Sequence, residues 1–264
     1  MANPLDRLRA DIIGSLVPPV GLSAAFDRFD RGESTAAELA EAQDRAIRHV
    51  IQRQQDIGLP VVSDGELRRR NFQESFANAV SGFDVPRDHA TDYQQARITT
   101  APMQRAEQDF NAPGPAIHTR RPVVERLKLV RNVPLEEYRF TSAIAARPVK
   151  ATLLSPDRIS QRFAWEQSGR VYADMDAFMA DVVAIEREMV AGLVAAGCRY
   201  IQIDAPGYTA YVDPPSLERM RSRGEDPDEN LRRSIRADNA VIEGFPEVTF
   251  GLHVCRGNPR GRDP

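Results

Sequence analysis

The stretch GLHVC near the end of the chain places His253 and Cys255 two residues apart, in a run typical of a buried strand. Side chains at positions i and i+2 of a strand point to the same face, so both can reach one ligand. A neutral imidazole and a thiolate are common ligands of tetrahedral Zn²⁺. The spacing therefore predicts two ligands of a zinc site. The alternative is a hydrogen-bonded histidine beside a small buried cysteine.

Small residues and carboxylates follow three other short apolar runs. Ser15 ends the run DIIGS, Asp64 and Glu66 follow LPVV, and Asp204 ends RYIQID. Asp-Gly and Glu are also ordinary turn and helix-start residues, so each position alone has a structural explanation. Asp204 has the stronger case, because a carboxylate that ends a buried strand needs a partner. Together with the His/Cys pair, these residues suggest an amino-acid-like ligand held by carboxylates beside a metal.

Regular elements alternate between strand and helix along most of the chain. The sequence Thr35-Ala-Ala-Glu38 predicts a capping box at the start of a long helix that ends before Gly58. Between about 84 and 121 the chain is rich in turn formers, which indicates an irregular insertion. Six strands are predicted, at Asp11–Ser15, 59–62, 121–130, Val149–Leu154, 199–204 and 248–255, with helices at 34–58, 134–146, 176–198 and 225–245.

This alternation favours an α/β fold with a parallel sheet, either doubly wound or a TIM barrel. The turn after the first predicted strand, IGSLVPP, lacks the GxGxxG pattern of dinucleotide-binding folds, which favours the (β/α)8 barrel. Six βα units are fewer than eight, so the sequence predicts an incomplete barrel in a single domain over 1–264. In such a barrel the strand ends would bring the candidate residues to one rim.

Composition excludes several classes of function. The 264 residues carry a formal net charge of −3, which argues against a nucleic-acid partner. The N-terminal stretch is interrupted by charges and has no signal-peptide core, and no apolar run is long enough to cross a membrane. We therefore expect a cytoplasmic protein that acts on a small molecule. A homo-oligomer is left open.

Five stretches in this order resemble the cobalamin-independent methionine synthase family, in its catalytic C-terminal barrel and its single-barrel relatives. They are IIGSLVPP, GLPVVSDGELRRRNFQESF, PVKATLLSP, GCRYIQIDAPGYTAYVDP and FGLHVCRGN. The resemblance covers most of the chain. It implies zinc-dependent transfer of a methyl group to a thiol, with homocysteine as acceptor and a methylfolate or methyl-corrinoid as donor.

The resemblance also implies roles for six residues. A turn after the first strand would hold the substrate carboxylate, two carboxylates would hold its ammonium, and the His/Cys pair would be the first two zinc ligands. Zinc coordination would lower the thiol pKa and so provide a thiolate at neutral pH. By position these are Ile13 and Ser15 for the carboxylate, Glu66 and Asp204 for the ammonium, and His253 and Cys255 for Zn²⁺.

Two departures from the family pattern keep alternatives open. Ala205 stands where the family has an acid, so another thiol acceptor such as coenzyme M is one alternative. The family's remaining zinc ligands, a Glu and a second Cys, lie on later strands that would follow Pro264. We therefore expect a chain cut short after the sixth strand, and a non-catalytic fragment is the second alternative. A decarboxylase-type barrel of the same superfamily is a third, which would not need the His/Cys pair.

Overall fold

The computed structural model describes residues 10–70, 72, 74–84, 121–161, 163–168 and 170–255, with the side chains of Glu74, Glu166 and Gln167 left aside. The helices are α1 (Val20–Asp30), α2 (Ala36–Asp56), α3 (Glu74–Ala77), α4 (Val133–Ile144), α5 (Pro156–Gln161), α6 (Trp165–Ser168), α7 (Met175–Ala195), α8 (Pro214–Ser222) and α9 (Pro227–Ile242), with a 3₁₀ helix at Pro206–Tyr211. The strands are β1 (Val80–Phe83), β2 (Val123–Leu129), β3 (Lys150–Leu154), β4 (Tyr200–Asp204) and β5 (Thr249–His253).

The central sheet consists of β3, β4 and β5, which are parallel and lie in the order of the sequence. A parallel bridge between Val62 and Val149 places the predicted second strand beside β3. Sequential parallel strands with helices in each connection are the arrangement of a β/α barrel. The α/β class is confirmed, and the described residues occupy four neighbouring positions of such a sheet, not the six that the sequence predicted.

The prediction of a first strand at Asp11–Ser15 is wrong, because these residues belong to no strand. The carbonyl oxygens of Ile12 and Ile13 accept hydrogen bonds from side chains instead of from a neighbouring backbone. The Ile13 side chain is exposed, so the apolar run does not bury the face that a central strand would bury.

The predicted third strand exists, but its place in the parallel sheet is wrong. β2 pairs antiparallel with β1 in a separate two-stranded sheet. Of its side chains only Val123 and Leu127 are buried. A strand that exposes most of its side chains is suited to an antiparallel pair, because strands of parallel sheets are usually covered on both faces. The insertion predicted at about 84–121 lies outside the described residues, apart from its two end positions.

The long helices form as the sequence predicts. The capping box at the start of α2 is present, with Glu38 N donating to Thr35 Oγ1 at 3.2 Å and Thr35 N donating to Glu38 Oε2 at 2.7 Å. Gly58 follows this helix with a φ of 81°, a backbone conformation that favours glycine. α7 buries a stripe of apolar residues at spacings of three and four in the hydrophobic core, namely Phe178, Val182, Ile185, Met189 and Leu193. This stripe and the outward faces of β3 and β4 form the core.

Candidate functional site

Polar side chains of the three parallel strands share one face of the central sheet. Thr152 of β3 is paired with Gln202 of β4, and Asp204 of β4 is paired with His253 of β5. Side chains alternate between the two faces of a strand, so these four lie on one face, while the residues between them pack into the apolar core. Lys150 precedes Thr152 by two residues and therefore shares this face. This inner face is the polar side of the sheet.

A strained turn carries Glu66 to the inner face. Glu66 has a φ of 57°, the only positive value at a non-glycine position among the described residues. Such a left-handed conformation costs about 1–2 kcal/mol for an L-residue. It is supported by the Asp64 carboxylate, which accepts a hydrogen bond from Glu66 N at 3.0 Å, and by Gly65, whose φ is 67°. Backbone strain of this kind is concentrated at functional sites.

The Glu66 carboxylate is buried and accepts hydrogen bonds from three side chains. Thr152 Oγ1 donates to Oε1 at 2.8 Å, Arg69 Nη1 donates to Oε1 at 2.9 Å, and Ser15 Oγ donates to Oε2. Arg69 also forms an ion pair with Glu137, at 2.6 Å between Nη2 and Oε2. The structure thus brings together two residues that the sequence predicted, Ser15 and Glu66. The contact is made by the Ser15 side chain, which points to the predicted ammonium-binding carboxylate.

Asp64, which the sequence analysis placed at the same rim as Glu66, is buried and accepts the hydrogen bond from Glu66 N. Burial and, next in size, the nearby Glu137 charge together raise the pKa of Asp64 to about 7, against the lowering effect of Arg69. Asp64 Oδ2 has no hydrogen-bond partner among the described residues. A protonated carboxyl is therefore the form that this environment favours below neutral pH.

Asp204 and His253 form the second contact between predicted residues. His253 Nδ1 lies 3.1 Å from Asp204 Oδ1, and Gln202 Nε2 donates to the same oxygen at 2.6 Å. A carboxylate that accepts a hydrogen bond from one ring nitrogen of histidine fixes the tautomer and leaves the other nitrogen for a metal. This arrangement is consistent with a metal-ligating His253 whose Nε2 is the donor atom.

Cys255 lies half-buried, two residues beyond His253 and just past the end of β5. Within the described part of the chain, no three His, Cys, Asp or Glu side chains are grouped so that they could hold a metal ion. The predicted ligands His253 and Cys255 would be two of the three or four protein ligands that zinc sites use.

The predicted carboxylate-binding turn at 13–15 is hydrogen-bonded both to the Glu66 segment and to Gln202, which also contacts Asp204. Leu16 N donates to Gly65 O at 2.9 Å, which joins the turn to the segment that carries Glu66. A Cβ at Gly14 would lie 3.4 Å from Glu66 Oε1, so the backbone passes close to the carboxylate. The Ile13 side chain points to solvent, and its contribution to the site is its backbone.

Four polar residues at this site were not predicted from the sequence, namely Arg69, Glu137, Lys150 and Gln202. Two of them could have been identified from a pattern in the sequence. Lys150 and Gln202 each stand two residues before a polar residue in an otherwise apolar strand, the pattern of a polar inner face. Arg69 lies in the loop after the turn and Glu137 lies on α4, so only the fold brings them together.

A second buried polar cluster surrounds the 3₁₀ helix that follows Asp204. Tyr211 OH donates to Asp157 Oδ1 at 2.8 Å, and Tyr208 OH donates to Asp238 Oδ2 at 2.6 Å. Burial raises the pKa of Asp157, and burial raises that of Asp238 to about 6. These bonds connect the loop after β4 to α5 and α9 and thereby fix the chain immediately after Asp204.

Comparison with known proteins identifies the family. The model of the family described as "Cobalamin-independent synthase, Catalytic domain" matches residues 10–257. YxjH of Bacillus subtilis, described as an uncharacterized protein, is 27% identical over 257 residues, which are 96% of this chain and 62% of that protein. The methionine synthase of Sulfolobus acidocaldarius is 25% identical over 258 residues, 97% of this chain and 64% of that protein. The chain thus spans less than two thirds of the length of these relatives.

Solved structures show the same fold. A B12-independent methionine synthase from Shewanella sp. W3-18-1, in complex with selenomethionine, matches with a TM-score of 0.63 and 20% identity over 95% of this chain and 62% of that chain. A Listeria monocytogenes protein, named as a candidate vitamin-B12 independent methionine synthase, matches with a TM-score of 0.68 and 22% identity over 95% and 66%. No helix in the described ranges is both long and apolar enough to span a bilayer. Since the family model covers nearly all of it, the chain belongs to the cobalamin-independent methionine synthase family, in its catalytic domain.

Proposed function

We propose that this chain catalyses the transfer of a methyl group to a thiol, with homocysteine as acceptor, Zn²⁺ as cofactor and a methylfolate as donor. Membership of the family and relatives named methionine synthase support the reaction class. A methyl-corrinoid is the alternative donor. The proposal assigns Glu66 and Asp204 to the substrate ammonium, the Ile13 and Ser15 turn to its carboxylate, and His253 and Cys255 to the metal.

The contact between Asp204 and His253 carries this proposal. In homocysteine, three carbons separate the ammonium nitrogen from the sulfur, so a site for it needs an ammonium-binding group next to a thiol-binding group. Asp204 and His253 are opposite each other in register, and their side chains are within hydrogen-bond distance. Asp204 can therefore bind the ammonium while its other contact orients the imidazole.

Two residues of the site, His253 and Cys255, are suited to fill two of the coordination positions of zinc. The imidazole of His253 has Nδ1 engaged by Asp204, which leaves Nε2 as the donor, and Cys255 supplies a thiolate two residues later. Nitrogen and sulfur donors are those that zinc prefers. When bound, zinc lowers the pKa of a coordinated thiol, so that the acceptor is a nucleophile at neutral pH.

The other residues of the site orient the substrate. Arg69, Thr152 and Ser15 fix the Glu66 carboxylate by three hydrogen bonds, so it does not need to reorganise when an ammonium binds. The buried neighbours of this carboxylate exclude water from its back, which strengthens its attraction for a cation.

The test uses the 264-residue chain with zinc, L-homocysteine and a methylated folate. We expect bound zinc with an X-ray absorption edge that indicates nitrogen and sulfur donors, and we expect methionine as product. His253→Ala and Cys255→Ser should each lower zinc affinity, whereas His49→Ala, at an exposed position of α2, should not. Zinc binding that is equal in all four proteins would contradict the assignment of the metal ligands.

A second acceptor distinguishes homocysteine from a thiol without an amino group. Coenzyme M has no ammonium, so Glu66→Gln should impair methyl transfer to homocysteine and leave transfer to coenzyme M unchanged. Transfer to coenzyme M alone, in the unsubstituted chain, would replace the proposed acceptor. Glu136→Gln, in the exposed ion pair with Arg131, is the matched control.

A further inference from the structure

Lys150 connects two parts of the site that the sheet does not connect. The turn at 13–15 precedes α1 and belongs to no strand, whereas Asp204 ends β4 in the middle of the sheet. The Lys150 side chain is almost fully buried between them. Its ammonium donates to Ile13 O at 3.2 Å, to Ile12 O and to Gln202 Oε1 at 2.7 Å, and it pairs with Asp11 at 2.8 Å.

Gln202 extends this connection to Asp204. Its Nε2 group donates to Ile13 O at 2.5 Å and to Asp204 Oδ1 at 2.6 Å, while its Oε1 accepts from Lys150. Lysine has no acceptor, so the orientation of the Gln202 amide is determined by Lys150. Both polar ends of the amide are therefore satisfied, and the amide has a single orientation in this network.

The geometry of an α-amino acid makes this connection important. Its carboxylate and ammonium are attached to the same carbon, so the groups that bind them must be held at a fixed separation. Backbone hydrogen bonds fix Asp204 within the sheet, but the turn at 13–15 has no strand partner. Side-chain bonds from Lys150 and Gln202 take the place of the missing strand hydrogen bonds.

We propose that Lys150 is a positioning residue that sets the place of the turn at 13–15 relative to Asp204, acting directly on the Ile13 carbonyl and through Gln202 on the Asp204 carboxylate. It does not touch the substrate. Its effect on an amino-acid ligand rests on the proposed function, whereas its effect on the turn does not.

The chain provides a matched control, because Lys128 and Lys150 are its only two lysines. Lys128 is exposed on β2, in the antiparallel pair of strands. Lys150→Met and Lys128→Met therefore remove the same chemical group, one inside the network and one outside it. Lys150→Met leaves the Asp11 carboxylate without this cation, so the double variant Asp11→Asn/Lys150→Met is the second test protein, in which that charge is also removed.

Hydrogen exchange by mass spectrometry measures the turn without any ligand. In both Lys150 variants we expect the Leu16 amide, which donates to Gly65 O, to exchange about tenfold faster or more, because the charged hydrogen bonds that hold the turn are lost. Amides of β4 and β5 should keep their protection, which shows that the sheet is folded. Lys128→Met should exchange like the unsubstituted chain. Unchanged exchange at Leu16 in the double variant, with β4 and β5 protected, would overturn the proposal.

Titration with L-homocysteine measures the effect on the ligand. We expect Lys150→Met to raise its Kd by about tenfold or more, because the turn that holds the carboxylate is displaced relative to Asp204. In the chain labelled with ¹⁵N-lysine, the ammonium signal of Lys150 should shift on addition of homocysteine. An unchanged Kd in Lys150→Met would contradict the proposal. Failure of the unsubstituted chain to bind homocysteine would refute the proposed function, and the exchange result alone would then decide the role of Lys150.

Discussion

Asp204 and His253 lie directly opposite each other in neighbouring parallel strands, with 3.1 Å between Asp204 Oδ1 and His253 Nδ1. The register of two strands thus determines a contact between two residues that are 49 positions apart. In the proposed function, this contact would let one carboxylate bind the substrate ammonium and orient the imidazole.

We expect Asp204→Asn to lower zinc affinity about 10–100-fold, the usual effect of removing the group that orients a metal-ligating histidine. The neutral amide is a weaker acceptor for the His253 N–H than a carboxylate is. Competition with a zinc chelator measures this affinity. Asp228→Asn, at an exposed position in the first turn of α9, is the control. Equal zinc affinity in the two variants would show that Asp204 does not orient His253.

Arg69 lies buried between Glu66 and Glu137, with N–O distances of 2.9 and 2.6 Å. We expect Arg69→Met to lower the free energy of unfolding by about 3–5 kcal/mol, because two buried carboxylates lose their cation. Arg131→Met breaks an exposed ion pair with Glu136 and should cost about 0–1 kcal/mol. Urea unfolding measures both. A loss below about 1 kcal/mol in Arg69→Met would mean that other groups stabilise these carboxylates.

The sequence predicted the long helices and the strands of the central sheet, because the sequence patterns that indicate them lie within single elements. A capping box at Thr35 and a stripe of apolar residues on α7 each lie within one element. It also identified Asp204 and His253, since a polar residue at the end of a buried strand needs a partner. Their mutual contact depends on strand register, which the sequence did not determine.

Two features were predicted wrongly because they depend on contacts between distant segments. The run at 11–15 reads as a strand, yet the carbonyls of Ile12 and Ile13 are bound by side chains from β3 and β4. β2 reads as the next strand of the sheet, yet it pairs with β1. Its exposed charges, such as Arg126 and Lys128, were the signal that it is covered on one face only.

Asp64 gives the fold a dependence on pH. Burial raises its pKa to about 7, whereas an aspartate in an unfolded chain has a pKa of about 3.9. Between these values the folded chain holds a proton that the unfolded chain has lost. The free energy of unfolding therefore decreases as pH rises through this range, by at most about 1.4 kcal/mol per pH unit for this one group.

Asp64→Asn should remove this contribution, because the amide does not titrate. We expect the free energy of unfolding to fall less steeply between about pH 4.5 and pH 7 in the variant than in the unsubstituted chain. Urea unfolding at several pH values measures both slopes. Asp56→Asn, at the exposed end of α2, should leave the slope unchanged. Parallel curves for Asp64→Asn and the unsubstituted chain would show that Asp64 is ionised throughout this range.

Gly207, in the 3₁₀ helix that follows Asp204, has no room for a larger side chain. A Cβ there would overlap Asp157 Oδ2 and Gln161 Nε2, which are hydrogen-bonded to each other at 3.0 Å. We expect Gly207→Ala to lower the free energy of unfolding by about 1–3 kcal/mol, because the overlap displaces this partly buried pair. Gly21→Ala, near the start of α1, meets no atom within 4 Å and should be neutral or stabilising by about 0.5–1 kcal/mol. Thermal unfolding compares the two variants, and an equal Tm for both would show that the loop after β4 moves freely away from α5. That loop begins immediately after Asp204. We therefore expect Gly207→Ala, which displaces the loop, to bind homocysteine more weakly, and Gly21→Ala to bind it as the unsubstituted chain does.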